Sequence, residues 1–308
     1  MKNSIVVIIG CILVLVGFEM CRQKEVHQQA KPKGTDDFTS GVAQFVADES
    51  FQPILDEELF VYKAMFPEAK PQVVYKSEND ALRLFLNDSI RVAILSRELK
   101  PAEVKILSDR TLAPEINCFA IDAVTLIVNQ QSADTTISVN QLKAALNGKG
   151  MTDKSIVFDN PNSSLVRYLK ELSGSKDLNA RNIYALKSNK DVIAYVSQHP
   201  QAIGIVGFSW LDDPDEDYAA AVAKVKIVGV KDESNKKAPN EYFKPSQETL
   251  ALKQYPLSRR LYMINSSGKM GLGTGFATFL ASERGQRIIL KSGLLPDSIP
   301  QRQINIKK

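Results

Sequence analysis

The run "NCFAIDAVTLIVN", residues 117–129, decides how the chain is read. It is apolar almost throughout, as a buried strand is. It is also long for one strand, as a segment crossing between two lobes would be. On its N-terminal side, strand and helix patterns alternate. "SGVAQFVAD" reads as a first strand over residues 42–46. "SFQPILDEELFVYKAMFP" then places Ile54, Leu55, Leu59, Tyr62 and Phe66 at helical spacing, with Ser50 as the cap and Pro53 in the first turn. "KPQVVYKS" is a strand, "SENDALRLFLND" a helix capped by Ser77, and "IRVAILS" a strand. A β-α-β-α-β series argues for a parallel sheet flanked by helices.

On the C-terminal side the alternation resumes. "SVNQLKAALNGK" is a helix stopped by Gly148, "KSIVFD" a strand, and "SSLVRYLKELSG" a helix stopped by Gly174. "SNKDVIAYVSQHP" is a further helix and "QAIGIVGF" a further strand. Beyond an acidic loop, "AKVKIVGV" and "YPLSRRLYMIN" read as strands, and "GTGFATFLAS" and "ERGQRIILKSG" as closing helices. The expected fold class is α/β, with two α/β lobes joined by a hinge and a ligand cleft between them. Lobe 1 is expected over residues 38–124 and 251–304, and lobe 2 over residues 125–250.

Composition agrees with a globular chain: 308 residues, 44% hydrophobic and 24% charged. The net charge is +4 with no Lys/Arg block, so nucleic acid is not an expected partner. The N-terminus differs. Lys2 precedes the apolar run "IVVIIGCILVLVGF", residues 5–18. That is short of the roughly 20 residues of a membrane span and fits an export signal over residues 1–20. Cys21 stands where a lipoprotein signal places its lipidated cysteine, although Glu19 and Met20 stand where small residues are usual. An uncleaved signal anchor is the alternative. Residues 21–37 read as a polar tether. The expectation is a monomer in the periplasm or cell envelope, held to the membrane by a lipid. Cys118 lies in an apolar strand as a small buried hydrophobe, so no disulfide framework is implied.

The catalytic inventory is poor. His27 lies in the tether and His199 at a helix C-terminus, where its charge suits the helix dipole. No His/Cys spacing suits a metal, and no Walker or nucleophile-elbow motif occurs. The glycine-rich "GKMGLGTG", residues 268–275, reads as a loop. Neither enzyme chemistry, nor a metal, nor a cofactor is expected. Instead, hydroxyl residues gather at strand-to-helix junctions: Thr39 and Ser40, Ser77, Ser96 with Arg97, and Asn162, Ser163 and Ser164 with Arg167 behind them. Each alone reads as a helix cap. Junctions in both lobes, two of them with an arginine, point to an oxyanion. Helix N-termini offer free N–H groups there, hydroxyls add donors, and arginine adds a two-pronged fork.

These stretches resemble a known family. "TSGVAQFVADESFQPIL" is similar to the Thr/Ser-Ser-Gly start of the PstS-like phosphate-binding proteins of ABC transporters. "AIDAVTLIVN" resembles the family's crossover strand, "AIGIVGF" its return strand, and "FATFLASERGQRIILKSGLLP" its closing helices. "NPNSSLVRYL" occupies the place of its anion loop. The resemblance covers residues 38–304. It implies a type II periplasmic binding protein-like fold that holds phosphate or a similar oxyanion, such as sulfate or molybdate, and passes it to permease subunits. Carried over by position, the ligand residues would be Thr39, Ser40, Ser77, Ser96, Arg97, Ser163 and Ser164. The chain departs from the family in two places. Arg97 stands where known members have a carboxylate, and Asp159 and Asn160 stand where they have an arginine. A module that keeps the fold and has lost the ligand is the other reading.

Overall fold

The computed structural model describes residues 36–298. β1 (Gly41–Asp48) turns through one 3-10 turn (Glu49–Phe51) into α1 (Gln52–Met65). β2 (Ala69–Lys76), α2 (Glu78–Leu86), β3 (Val92–Leu95) and α3 (Pro101–Ser108) follow, and then the long strand β4 (Glu115–Asn129). Next come β5 (Thr136–Ser138), α4 (Val139–Leu146), β6 (Ser155–Phe158), α5 (Ser164–Ser173), β7 (Ile183–Ala185), α6 (Asn189–Gln198) and β8 (Ala202–Gly207). Shorter pieces come after them: α7 (Ser209–Asp212), α8 (Glu216–Val222), β9 (Val225–Ile227), β10 (Gly229–Lys231) and α9 (Gln247–Ala251). β11 (Ser258–Asn265), α10 (Leu272–Ala281), α11 (Glu283–Lys291) and β12 (Leu295–Pro296) complete the described chain.

The main sheet runs β2-β1-β3-β11-β4-β8-β6-β7. β1 is parallel to β2 and β3, and β6 is parallel to β7 and β8. The antiparallel strands β11 and β4 stand between these two parallel sets. β4 serves both halves. Up to Ala123 it pairs with β11, and from Val124 onward it pairs with β8. From Phe119 onward nearly every residue of β4 is buried, which accounts for the unbroken apolar run in the sequence. In the first half Phe45, Tyr62, Phe276 and Phe279 pack ring against ring between sheet and helices. In the second half Val192, Ile193, Val196 and Trp210 form a separate core.

Two sequence expectations need correction here. "AKVKIVGV" is not one strand. It breaks at Val228 into β9, which joins β4, and β10, which pairs with β5 in a small second sheet. The expected tether also ends sooner than residue 37. The Asp36 carboxylate accepts the Leu272 N–H at 2.7 Å and pairs with Lys269 at 2.8 Å, satisfying a free donor at the start of α10. The export signal, Cys21 and the rest of the tether lie outside the described residues. Among the described residues no helix is long and apolar enough to cross a membrane.

Candidate functional site

In a parallel set, the carboxyl ends of the strands and the N-termini of the following helices share one edge. Here that edge gathers Asp48 and Ser50 after β1, Ser77 and Glu78 after β2, Ser96 after β3, Asp159, Ser163 and Ser164 after β6, and Asn189 after β7. The two sets face each other across the seam where β4 changes partners.

At the centre lies the carboxylate of Asp48, which is fully buried. Oδ1 accepts the Ser50 N–H at 2.8 Å and also the Ser50 hydroxyl. Oδ2 accepts the Ser164 N–H, from the first turn of α5, at 2.9 Å. The Ser164 hydroxyl accepts from Arg259 Nη1 at 2.8 Å and lies 3.3 Å from the Ser50 hydroxyl. Arg259, on β11, donates Nε to Asp122 at 2.9 Å, and its guanidinium lies over the Phe51 ring at 4.8 Å. Arg259 and Asp122 are paired across β11 and β4 by register, so the sheet itself fixes their contact. Asp159 accepts the Ser163 hydroxyl at 2.5 Å and the Asn189 side-chain amide at 3.3 Å. Burial pushes the Asp159 carboxyl well up, and the neighbouring Asp48 adds to that, so Asp159 holds its proton readily. Burial likewise raises Asp48, while Ser50 and Arg259 pull it back down.

Toward the rim, Arg167 reaches from α5 to the other half. Its Nε donates to Glu78 and its Nη2 to the Ser96 hydroxyl at 2.7 Å. Ser96 in turn donates to Glu78 at 3.0 Å. Beside them the Asn79 N–H donates to the Asn162 carbonyl at 3.2 Å.

Ser96, Ser163, Ser164 and Arg167 therefore stand at the seam. Ser77 stands at the same edge but is spent as the α2 cap, where its hydroxyl accepts the Asp80 N–H. Thr39 and Ser40 do not belong to the site. They precede β1, at the opposite end of a strand of eight residues, roughly 26 Å from the seam. The "Ser-Gly" of the sequence opens the strand rather than following it. Arg97 also turns away. Its fork is held by Glu103 at 2.7 and 2.8 Å, and only Nε approaches Glu78, at 3.7 Å. Asn162 is not the cap of α5. Ser163 caps it by accepting the Val166 N–H, and Asn162 is exposed one residue earlier. Ser50 does not cap α1. Asp48 instead caps the 3-10 turn before it, which frees Ser50 for the seam.

Asp48, Ser50, Glu78, Asp122, Asp159 and Arg259 were missed by sequence reasoning. Asp122 and Arg259 had a signal: each is a charge inside an apolar strand, and buried charges require partners. His199 keeps its expected structural place, with Nδ1 2.7 Å from the Tyr195 carbonyl. Cys118 is half-buried. Burial and Asp297 push its thiol up to about 12, which makes it a poor nucleophile. No cluster of His, Cys, Asp or Glu among the described residues could hold a metal.

A model of the family described as "PBP superfamily domain" matches residues 29–284. The chain belongs to the PBP superfamily. Within this superfamily it is a divergent PstS-like protein. The phosphate-binding protein PstS of Borreliella burgdorferi is 27% identical over 266 residues, covering 79% of this chain and 85% of that protein. The PstS of Staphylococcus saprophyticus is 26% identical over 206 residues, covering 64% of this chain and 61% of its own length. The crystal structure of an ABC-type phosphate transport receptor from Vibrio cholerae superposes with a TM-score of 0.63 at 19% identity, over 83% of this chain and all of that one. The likeness is one of fold, a mixed α/β architecture of the periplasmic binding protein kind.

Proposed function

We propose that this PstS-like protein is an extracytoplasmic substrate-binding protein. It captures an oxyanion, phosphate first, between its two lobes and delivers it to the permease of an ABC transporter. One observation carries this reading. The Ser164 N–H, the Ser50 N–H and hydroxyl, and Arg259 behind the Ser164 hydroxyl converge from both halves around one anionic group. Buried donors pointed at a common centre are how a dry site holds an anion. The names of the PstS relatives make phosphate the first candidate. The lobes would be residues 38–124 with 251–304, and residues 125–250. Export by residues 1–20 and lipidation at Cys21 would hold the protein, as a monomer, at the membrane of the cell envelope. Titration calorimetry of phosphate-stripped protein with phosphate, sulfate and molybdate tests the proposal. Heat of binding from phosphate is expected, and silence from all three would sink it.

A second reading, an envelope interaction module without a ligand, is favoured by the bridge from Arg167 to Glu78 and Ser96, which joins the halves with protein groups alone. The same titrations separate the two.

A further inference from the structure

The anion seat on α5 is filled by the chain's own carboxylate. The first free N–H of that helix goes to Asp48 Oδ2 at 2.9 Å, and Asp48 Oδ1 takes both donors of Ser50. The link from Asp48 to Ser164 spans 116 positions of sequence, so it is a tertiary contact across the seam rather than a local turn. Asp48 is fully buried, and Arg259 donates to the Ser164 hydroxyl, which lies 3.3 Å from the Ser50 hydroxyl that Asp48 accepts. Three further carboxyl groups, Asp122, Asp159 and Glu78, are also buried at the seam. An incoming oxyanion would meet Asp48 where its own oxygen must sit, since Oδ2 already takes the Ser164 N–H and Oδ1 both Ser50 donors. A free N–H given to one acceptor is withheld from another, and the Ser164 N–H is given to Asp48.

We infer that Asp48 is an internal ligand: its carboxylate occupies the oxyanion seat formed by Ser50, Ser164 and Arg259, and it must leave that seat before an external anion enters. This rests on the oxyanion reading above and adds what controls access to the site. The resident carboxylate weakens binding through the competent fraction, because only molecules with Asp48 displaced can accept ligand. It also sets the stereochemistry of the seat, which as built fits two oxygens of one planar group.

The test uses Asp48→Ala with two probes, inorganic phosphate and formate. Removing the carboxylate is expected to tighten phosphate binding at least tenfold in calorimetry. Millimolar formate, the missing carboxylate supplied from outside, is expected to raise the melting temperature of Asp48→Ala and leave the wild type unmoved. If both proteins bind phosphate equally and formate does not distinguish them, the internal ligand is overturned and the oxyanion reading survives. If formate stabilises only the variant while phosphate binds neither protein, the internal ligand stands and the phosphate reading falls. Should Asp48→Ala not fold, Asp48→Asn keeps the shape without the charge. At least threefold tighter phosphate binding is then expected, and unchanged affinity overturns the inference.

Discussion

Arg167 on α5 grips Glu78 at the start of α2 from across the seam, 89 positions away in sequence. The Glu78 side chain is only 2% exposed, so nearly all the charge it carries must be answered by protein. Arg167 answers it, with Ser96 in support. Removing Arg167 would leave a buried carboxylate with the more distant Arg97 Nε as its remaining cation. Arg167→Ala is expected to cost about 2 kcal/mol in urea unfolding. Adding Glu78→Gln to it should recover at least half. A double variant no more stable than Arg167→Ala would show that the pair is not coupled.

The Arg259–Asp122 pair is buried more deeply, with both side chains 2% exposed or less. Breaking one side of such a pair costs about 3–5 kcal/mol. Arg259→Met should therefore be severely destabilised, while Arg259→Met with Asp122→Asn should regain much of the loss. Urea midpoints of the three proteins decide it.

Capping gives a sharper comparison within one loop. Ser163→Ala removes the side chain that accepts the Val166 N–H and should cost about 1 kcal/mol. Asn162→Ala, at an exposed position outside the helix, should cost well under half of that. If the two costs were reversed, Asn162 would be the cap after all.

Glu58 sits on the buried face of α1. Neither of its carboxyl oxygens finds a hydrogen-bond partner among the described residues. Burial, with Glu57 adjacent, raises it from 4.5 to about 9. The folded protein then keeps a proton that the unfolded chain releases, so this group favours folding most at low pH. Its contribution is lost as pH rises from 4.5 toward about 9. Between pH 4.5 and 7 the loss is roughly 3 kcal/mol. Glu58→Gln should flatten that part of the stability profile, measured by urea unfolding at pH 5 and pH 8. Parallel profiles for the two proteins would contradict the assignment.

Phosphate affinity should separate the two ends of β1. Ser50→Ala removes a seam donor and should weaken binding several-fold. Thr39→Ala and Ser40→Ala, at the far edge, should leave it unchanged. Calorimetry on all three variants reads this directly.

The alternation of strand and helix was legible because each element buries one face and repeats with its own period. The crossing strand β4 was legible because burial on both faces leaves no polar positions from Ala123 to Val128 except Thr125. The site was only partly legible. Ser96, Ser163, Ser164 and Arg167 follow from the junction rule. The first strand lies where the sequence places it, but the sequence reading makes ligands of Thr39 and Ser40 before it, while Ser50 at its carboxyl end reads only as a helix cap. Arg97 was misplaced because its partner, Glu103, lies on the next helix and offers two oxygens to its fork. Pairings such as Asp48 with Ser164 depend on how the halves close, and no local pattern encodes that.

The chain has a single tryptophan. The indole N–H of Trp210 donates to the Ser50 carbonyl at 2.9 Å, next to the Asp48 seat, from the other side of the seam. Trp210 is almost wholly buried, with Tyr218 as its ring neighbour at 5.8 Å. Parting of the halves would wet that indole and break its hydrogen bond to the Ser50 carbonyl. Its fluorescence emission would shift to the red with no competing signal from another tryptophan. If the halves part when ligand enters, the change can thus be followed optically, in real time, on the unlabelled chain.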